Sequence, residues 1–500
     1  MYVLHKHFGL QRDIIFSLIP VFIEYGGKIC YTVFRKGKGA EHMKAVTGWS
    51  FRPYTELYKP ERGINPYITR LAPRENGFRA EFIDNGAAHA RHSVYLRKRG
   101  ADQFIAYPVE YDLFFDTDGL SANTDYEVYV EREDGSKSSV RLVRCGYVPG
   151  KVINYLHPED EEYAFSGQYL CSPSLIRLPS GRLLSSMDVF KGEAPQNLTL
   201  VYCSDDNGET WQYLTELFPC FWGKMFLSGG KLYMLSTSNE YGDILIGRSD
   251  DDGRTWTKPT VLFRGAANPK ECGLHRAPMP VIHYNGRVMT DVQYGAWNRR
   301  VMTDAVLSAP EGSDLLDAEN WVVSEFWKTA DSAETRNETA IGGIEGSLVV
   351  TPEGEVCDFL RFEDGKWLML GYDPEDPEGK LVFRGFSYLP ATTSKADVLF
   401  DEKSGYYVTV ASCYLTEPVT RRNLLSLMYS KDLVNWRIAK HLIDYRHADK
   451  DMVGFQYVSF LIDGEDILYQ SRTAFGYAHN FHDSNYATFH RIHSFREYFE

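Results

Sequence analysis

A hairpin-turn motif occurs twice in this chain, 45 residues apart, and it constrains the fold more than any other feature. Residues 204–211 and 249–256 share the form S-x-D-x-G-x-T-W, and residues 430–436 are a looser copy. In this pattern Ser and Asp satisfy the amides of a turn, Gly takes a positive φ, and Trp packs between sheets. Two such turns one period apart predict a repeated series of similar β-sheets.

Composition agrees with a β-rich fold. Aromatic residues make up 14% of the 500 residues, with 33 Tyr and 29 Phe, and this favours pleated sheet over helix. A chain of this length is expected to form two or three domains with a large core. Its net charge of −14 argues against nucleic acid or an anionic membrane as a partner, because either would select a basic face.

The cysteines and the N-terminal residues indicate the cellular location of the protein. Eight cysteines lie far apart without a Cys-x-x-Cys pair, so we interpret them as free thiols of a reducing compartment. The apolar run at 13–34 is interrupted by Pro, Glu, Lys and two Gly, which excludes a spanning helix and leaves no secretory cleavage site. A cytoplasmic location without membrane insertion is therefore expected.

Three segments differ in their pattern. Residues 1–42 are an N-terminal extension; if Met43 rather than Met1 is the start of translation, the extension is not part of the folded protein. Residues 43–150 contain short alternating strands at about ten-residue spacing, which predict an antiparallel β-sandwich. The stretch 120–128, LSANTDYEV, resembles the tyrosine corner of fibronectin type III domains, which implies a sandwich of that kind without chemistry of its own.

Residues 151–500 contain the repeat. Apolar runs open six predicted sheets, at about 171–214, 217–260, 272–325, 340–388, 390–440 and 452–492. The turn motif is the Asp-box (BNR repeat), and the segment resembles the sialidase-like six-bladed β-propellers over about two-thirds of the chain. The fold class predicted is all-β, a six-bladed propeller preceded by a sandwich, and the turns themselves are expected to be structural.

The resemblance implies a site on the propeller axis, where the innermost strands converge. Sialidases use three arginines to hold a carboxylate, a tyrosine nucleophile, a glutamate that activates it, and an aspartate as acid/base. Glu345 with Arg361, Arg422 and Tyr457 match this pattern in type and in blade order. Cys171 stands where the first arginine is expected, and this is a departure from the family.

The acid/base is a second departure. The loop 187–197 should supply the aspartate, but Gln196 falls near the expected position. The nearest substitutes in sequence are Asp188 and Glu193, and a histidine is a third alternative. Asp188 is therefore a candidate catalytic residue.

Two further groups lie where blades open or close. His275 and Arg276 begin the third sheet, so that His275 is a candidate catalytic residue and Arg276 could complete a three-arginine cluster. Arg472, His482 and Asp483 lie in the last sheet and are candidate substrate-binding residues. The spacing of the histidines does not match a zinc pattern, so neither metal nor another cofactor is expected.

These residues predict an exo-acting glycoside hydrolase that removes a terminal, acidic sugar from a glycan. Two alternatives remain open: a polysaccharide lyase or a non-sialic glycosidase on the same fold, and a propeller that binds carbohydrate without catalysis. The lyase suits the missing arginine and the many histidines, whereas the binding protein suits the missing acid/base. The sequence does not fix the sugar, the linkage or the oligomeric state.

Overall fold

A computed structural model of the chain describes residues 59–87, 90–109, 112–266, 271–336 and 341–500. It also gives the backbone of a hairpin formed by β1 (Ile19–Tyr25) and β2 (Lys28–Phe34). The remainder of the extension 1–42, and Met43, lie outside the described residues.

Two small sheets lie before the repeat. In strand β8 (Thr124–Arg132) every second side chain is buried, as expected for a strand with one face on a core. The Tyr126 hydroxyl accepts the N–H of Ser121 at 2.9 Å, so this tyrosine ties back to the preceding turn. One sheet has the order β3 (Pro66–Arg74), β4 (Gly77–Asp84), β7 (Phe114–Thr117), and the other β6 (Ile105–Val109), β5 (His92–Lys98), β8 (Thr124–Arg132), β9 (Arg141–Cys145).

The rest of the chain is a six-bladed β-propeller, as the repeat predicted. Each blade is an antiparallel sheet whose first strand lies innermost. Blade 1 contains β11 (Tyr169–Arg177), β12 (Leu183–Phe190), β13 (Thr199–Ser204) and β14 (Gln212–Leu217). Blade 2 contains β15 (Phe221–Ser228), β16 (Lys231–Thr237), β17 (Ile244–Ser249) and β18 (Thr260–Phe263). Blade 3 contains β19 (Gly273–His275), β20 (Ile282–Tyr284), β21 (Arg287–Ala296), β22 (Val301–Pro310) and β23 (Val322–Val323).

The last three blades follow the same plan. Blade 4 contains β24 (Ile344–Val350), β25 (Val356–Glu363), β26 (Lys366–Tyr372) and β27 (Val382–Ser387). Blade 5 contains β28 (Leu399–Asp401), β29 (Tyr406–Ser412), β30 (Leu424–Ser430) and β31 (Trp436–Asp444). Blade 6 contains β32 (Gly454–Asp463), β33 (Asp466–Ala474) and β34 (Tyr486–Ile492). Short 3-10 turns lie at Pro60–Gly63, Trp297–Arg299, Ala318–Asn320, Thr329–Asp331 and Phe495–Tyr498.

Blade 6 is completed from the other end of the repeat. β10 (Lys151–Tyr155) pairs antiparallel with β34 and forms the outermost strand of that sheet. The first and last parts of the propeller therefore share one sheet, which closes the ring. No local pattern in residues 151–155 indicates this pairing.

The repeated turns join the third and fourth strands of their blades. Asp206 accepts the backbone N–H of Thr210 at 2.8 Å, and the Ser204 hydroxyl accepts the N–H of Gly208 at 2.8 Å. Gly208 has φ +91°, and a Cβ there would lie 2.0 Å from the ring of Phe489, so glycine is required. Trp211 then packs in the core at 2% exposure. These turns lie at the end of the blades opposite to the starts of the innermost strands.

Innermost strands are linked by serine side chains. In three of the blades, a serine hydroxyl accepts a backbone N–H from the innermost strand of the next blade or from the residue just before that strand. The pairs are Ser174 with Met225, Ser347 with Val398, and Ser459 with Leu175, at 3.0, 3.0 and 3.1 Å. These bonds fix the strands about the axis, which is where the candidate site lies. No helix among the described residues has the length and apolar character to cross a membrane.

Candidate active site

Four blades begin with the same backbone irregularity. Near the start of its innermost strand, each carries a β-bulge with one non-glycine residue in the left-handed region. These residues are Ser172, Trp222, Glu345 and Tyr457, with φ between +51° and +57°. Bulges redirect side chains beside functional sites, and a left-handed conformation costs a non-glycine residue on the order of 1–3 kcal/mol. The shared bulge places these four residues at equivalent positions around the axis.

The second strand of each of these blades also contains one residue at an equivalent position. It is the residue paired with the position just before the bulge. In blade order these residues are Asp188, Thr237, Arg361 and Arg472. Arg361 and Arg472 are therefore equivalent residues of blades 4 and 6, although 111 positions separate them.

The glutamate and the tyrosine meet directly. The Tyr457 hydroxyl donates to Glu345 Oε1 at 2.7 Å, and Arg361 Nη1 donates to Glu345 Oε2 at 2.5 Å. Arg361 Nη1 also lies 3.1 Å from the Tyr457 hydroxyl oxygen. Glu345 is 3% exposed and Arg361 is 8% exposed. Residues of the fourth and sixth blades thus form one buried hydrogen-bonded group.

The charges of this group depend on one another. Burial raises the pKa of Glu345, but Arg361, the nearby His275 and the hydrogen bond from Tyr457 together bring it below its ordinary value. Burial and the charge of Glu345 raise the pKa of Tyr457, against the opposing effect of three arginines. At neutral pH the pair is a carboxylate that accepts a hydrogen bond from a neutral phenol.

Arg422 and Arg472 complete a group of three guanidinium ions around the phenol. Their Cζ atoms lie 5.4 and 5.1 Å from the centre of the Tyr457 ring. Arg422 donates to Gln456 Oε1 and to the carbonyl of Thr393. Burial lowers the pKa of Arg422 to about 10, so it remains a cation at neutral pH. Three cations and one carboxylate give the group around Tyr457 a net positive charge.

Arg472 also lies near Cys171. Burial and the neighbouring Asp188 raise the pKa of the Cys171 thiol, and the guanidinium of Arg472 acts in the opposite direction. The last blade therefore brings an arginine next to the position where the sequence has a cysteine. The equivalence of Arg472 with Arg361 is the signal that could have predicted this placement.

Arg276 points elsewhere. Its guanidinium donates to the carbonyls of Trp222 and Leu235 at 3.2 and 2.9 Å, and the residue is completely buried. The structure thus brings Arg276 onto blade 2 rather than onto the phenol.

His275 lies beside Glu345. Its Nδ1 is 3.1 Å from Gln293 Oε1, and its ring centre is 4.3 Å from that of Trp222. Burial lowers the pKa of His275 to about 4 despite the opposing charge of Glu345. It is therefore a neutral imidazole at neutral pH.

His482 and Asp483 line the side of blade 6. His482 Nδ1 lies 2.9 Å from Asp483 Oδ1, and Arg472 Nη2 donates to the His482 carbonyl at 2.5 Å. Burial and Arg472 lower the pKa of His482 to about 4, although Asp483 opposes them. The ring of His482 contacts Phe190 edge-on, at 5.4 Å between centres. This segment holds Arg472 in place.

Asp188 supports the neighbouring bulge. It lies within β12, is completely buried, and accepts the backbone N–H of Trp222 at 2.7 Å and the hydroxyl of Thr199. Burial raises its pKa to about 7 against these hydrogen bonds. Its contacts fix the conformation of Trp222, whereas Glu193 lies exposed after the end of the strand.

Three further residues near this group, Trp297, Tyr241 and Glu240, were not predicted. Trp297 lies over the guanidinium of Arg361 at 5.4 Å, and its backbone N–H donates to the Tyr241 hydroxyl at 3.1 Å. Glu240 accepts a hydrogen bond from Gln196 Nε2 at 2.6 Å. These residues come from turns between outer strands, where no motif marks them.

Comparisons with known proteins concern the fold. No protein-family model matches the chain, and no curated protein sequence does. Among solved structures, a Penicillium chrysogenum α-L-arabinanase complexed with arabinobiose has 14% identity and a TM-score of 0.47, over 69% of this chain and 98% of its own. A Hadza microbial sialidase has 12% identity and a TM-score of 0.47, over 86% and 94%. An ulvan lyase of family PL25 has 11% identity and a TM-score of 0.41, over 74% and 88%.

Proposed function

We propose that the protein is an exo-acting glycoside hydrolase that releases a terminal, acidic sugar, with Tyr457 as nucleophile. The observation that carries this proposal is the 2.7 Å hydrogen bond from the Tyr457 hydroxyl to Glu345, inside a group of three arginines. The Asp-box turns and the fibronectin type III-like sandwich of residues 43–150 have supporting roles in this proposal.

A tyrosine suits a substrate that carries its own negative charge. A carboxylate beside the anomeric carbon repels an attacking Asp or Glu, whereas a neutral phenol can approach it. The phenol alone is a weak nucleophile at neutral pH. Glu345 can take its proton as attack begins, because the hydrogen bond already joins the two oxygens.

The arginines suit the same substrate. A guanidinium binds a carboxylate through two parallel hydrogen bonds, and such bonds are stronger when the site excludes water. Arg361, Arg422 and Arg472 surround the phenol and are largely buried, so the carboxylate of a sugar held by them lies next to the attacking oxygen. His482 and Asp483 would contact the far side of the same sugar.

The test is a screen of sialyl, uronyl, rhamnosyl and arabinosyl glycosides with the wild type and Tyr457→Phe. We expect the wild type to release one acidic sugar and Tyr457→Phe to lower kcat by about 10³-fold or more, since the nucleophile is removed. Tyr469→Phe is the matched control: it makes the same change in the same blade, where the ring stacks on His490. It should retain wild-type turnover.

Other products would identify the alternatives. An unsaturated sugar, detected by its ultraviolet absorbance, would mean that the protein is a lyase in which Tyr457 moves a proton. Tight glycan binding without product would mean that it is a binding protein. Undiminished turnover by Tyr457→Phe would exclude the nucleophile role.

A further inference from the structure

The acid/base position expected near Gln196 holds a side chain that cannot donate a proton to a leaving group. A primary amide has no ionisable proton near neutral pH. Gln196 is nevertheless held firmly: it is 1% exposed, its φ is +51°, and its N–H donates to the carbonyl of Ser166 at 3.0 Å. Such a conformation persists only where the surroundings impose it.

The amide holds a carboxyl group of the next blade. Gln196 Nε2 donates to Glu240 Oε2 at 2.6 Å, and Glu240 lies in the turn between β16 and β17. The carboxyl of Glu240 therefore lies one hydrogen bond away from the side chain at the expected acid/base position. Burial raises the pKa of Glu240 above its ordinary value, although Gln196 and Tyr241 oppose it. This environment favours the protonated acid.

A series of contacts connects the turn of Glu240 to Arg361. The next residue, Tyr241, accepts the N–H of Trp297 at 3.1 Å, and the Trp297 ring lies 5.4 Å from Arg361 Cζ. The Tyr241 ring centre is 6.1 Å from that of Trp222 and 6.2 Å from that of His275. The turn that carries Glu240 thus contacts residues of blades 2 and 3, and two of these, Trp297 and His275, lie next to Arg361 and Glu345.

We propose that Glu240 is the general acid/base of this site, positioned by Gln196. This inference rests on the proposed hydrolase function. In the first step the Tyr457 oxygen bonds to the anomeric carbon while its proton passes to Glu345. The glycosidic C–O bond breaks, and the leaving oxygen takes the proton of Glu240.

In the second step Glu240, now a carboxylate, removes a proton from water as the water oxygen bonds to the anomeric carbon. The bond to Tyr457 breaks, and its oxygen recovers the proton from Glu345. The sugar is released with retention, and both carboxyl groups return to their initial states.

The experiment compares Glu240→Gln with the wild type on two glycosides of the sugar identified by the screen. One has a sugar leaving group, which needs a proton, and the other has a nitrophenyl group, which leaves without one. We expect kcat/KM to fall by about 10²–10⁴-fold on the first and by less than about tenfold on the second. Sodium azide, which attacks the tyrosyl intermediate without a base, should restore turnover of the nitrophenyl glycoside and give a glycosyl azide.

Controls separate this role from a structural one. Glu209→Gln makes the same change on an exposed turn at the other end of blade 1, where Glu209 pairs with Lys151, and should behave as wild type on both glycosides. Glu240→Asp keeps an acid and should retain part of the activity on the sugar glycoside. Circular dichroism of each variant checks the fold.

Three results would overturn the proposal. An equal loss on both glycosides without recovery in azide would make Glu240 structural, and full activity on both would make it dispensable. Selective loss in Glu193→Gln instead would assign the acid to that residue. In each case the hydrolase itself stands, whereas a wild type that turns over neither glycoside would overturn the hydrolase and this inference together.

Discussion

Glu345 and Tyr457 adopt a backbone conformation that side chains usually avoid, and both side chains end in one hydrogen-bonded group. The strain at each bulge is offset by contacts that a glycine could not make, above all the ion pair of Glu345 with Arg361. Asp291 supports this arrangement because its Oδ2 accepts the N–H of Gly346, the residue after Glu345, at 2.7 Å. At the residue scale, then, the surroundings hold the two side chains before a substrate arrives.

The first residue-scale prediction concerns pH. The base Glu345 must be ionised, and its pKa is lowered, so activity should fall only below its ordinary value of 4.5. The acid Glu240 must be protonated, and its pKa is raised above 4.5, so activity should fall on the alkaline side of that value. A bell-shaped profile of kcat/KM is expected on the glycoside with a sugar leaving group, and Glu240→Gln should lose the alkaline limb of that profile. A wild-type profile that rises into alkaline pH would contradict these roles.

The second residue-scale prediction concerns a substitution of Arg472. Arg472→Lys keeps the charge but loses the bidentate geometry, so kcat/KM for the acidic sugar should fall by about 10- to 100-fold, the equivalent of one charge-assisted hydrogen bond. Arg437→Lys, on an exposed side chain of blade 5, is the control. Equal kinetics for the two variants would remove Arg472 from the carboxylate site.

At the scale of elements, the sequence predicts the features that depend on residues close together in the chain. The turns at 204–211 and 249–256 need a few residue types at fixed spacing, so two copies predict a repeated series of β-sheets, and the apolar runs that open six sheets predict their number. The pairing of β10 with β34 joins residues more than 330 positions apart and leaves no local mark. The sequence did not predict a role for Glu240 for the same reason, because its hydrogen-bond partner Gln196 lies in another blade. Glu345, Arg361 and Tyr457 were predicted together from the family pattern, and their catalytic roles stay predictions.

The turns are predicted to stabilise the blades without taking part in chemistry. Asp251→Ala removes the acceptor for the backbone N–H and the hydroxyl of Thr255, at 2.8 and 2.6 Å. The free energy of unfolding should fall by about 1–3 kcal/mol, while kcat/KM stays within about twofold of wild type. Urea denaturation and steady-state kinetics measure the two quantities. Unchanged stability, or a large loss of activity in the folded variant, would contradict this role.

At the scale of the whole molecule, ring closure and charge distribution both matter. The chain carries a net charge of −14, yet three guanidinium ions surround the phenol, so the positive charge around Tyr457 is a local feature. The axial site needs residues from blades 4, 5 and 6 in register, and the strand β10 holds the ring closed at blade 6.

Weakening β10 should therefore lower the stability of the propeller as a unit. Ile153→Ala deletes a completely buried side chain in that strand and should cost about 2–5 kcal/mol. Val382→Ala, in the outermost strand of blade 4, removes a side chain that is 54% exposed and should cost less than about 0.5 kcal/mol. Thermal unfolding of both variants tests this, and equal melting temperatures would show that closure by β10 is unimportant.

The nucleophile can be identified by trapping it. The wild type is incubated with a fluorinated glycosyl fluoride of the sugar found in the screen, and the protein is then analysed by intact mass and peptide mapping. We predict one added sugar per chain, bonded to the phenolic oxygen of Tyr457 and absent from Tyr457→Phe. An adduct on a carboxylate such as Glu345, or turnover of the reagent without any adduct, would contradict the account.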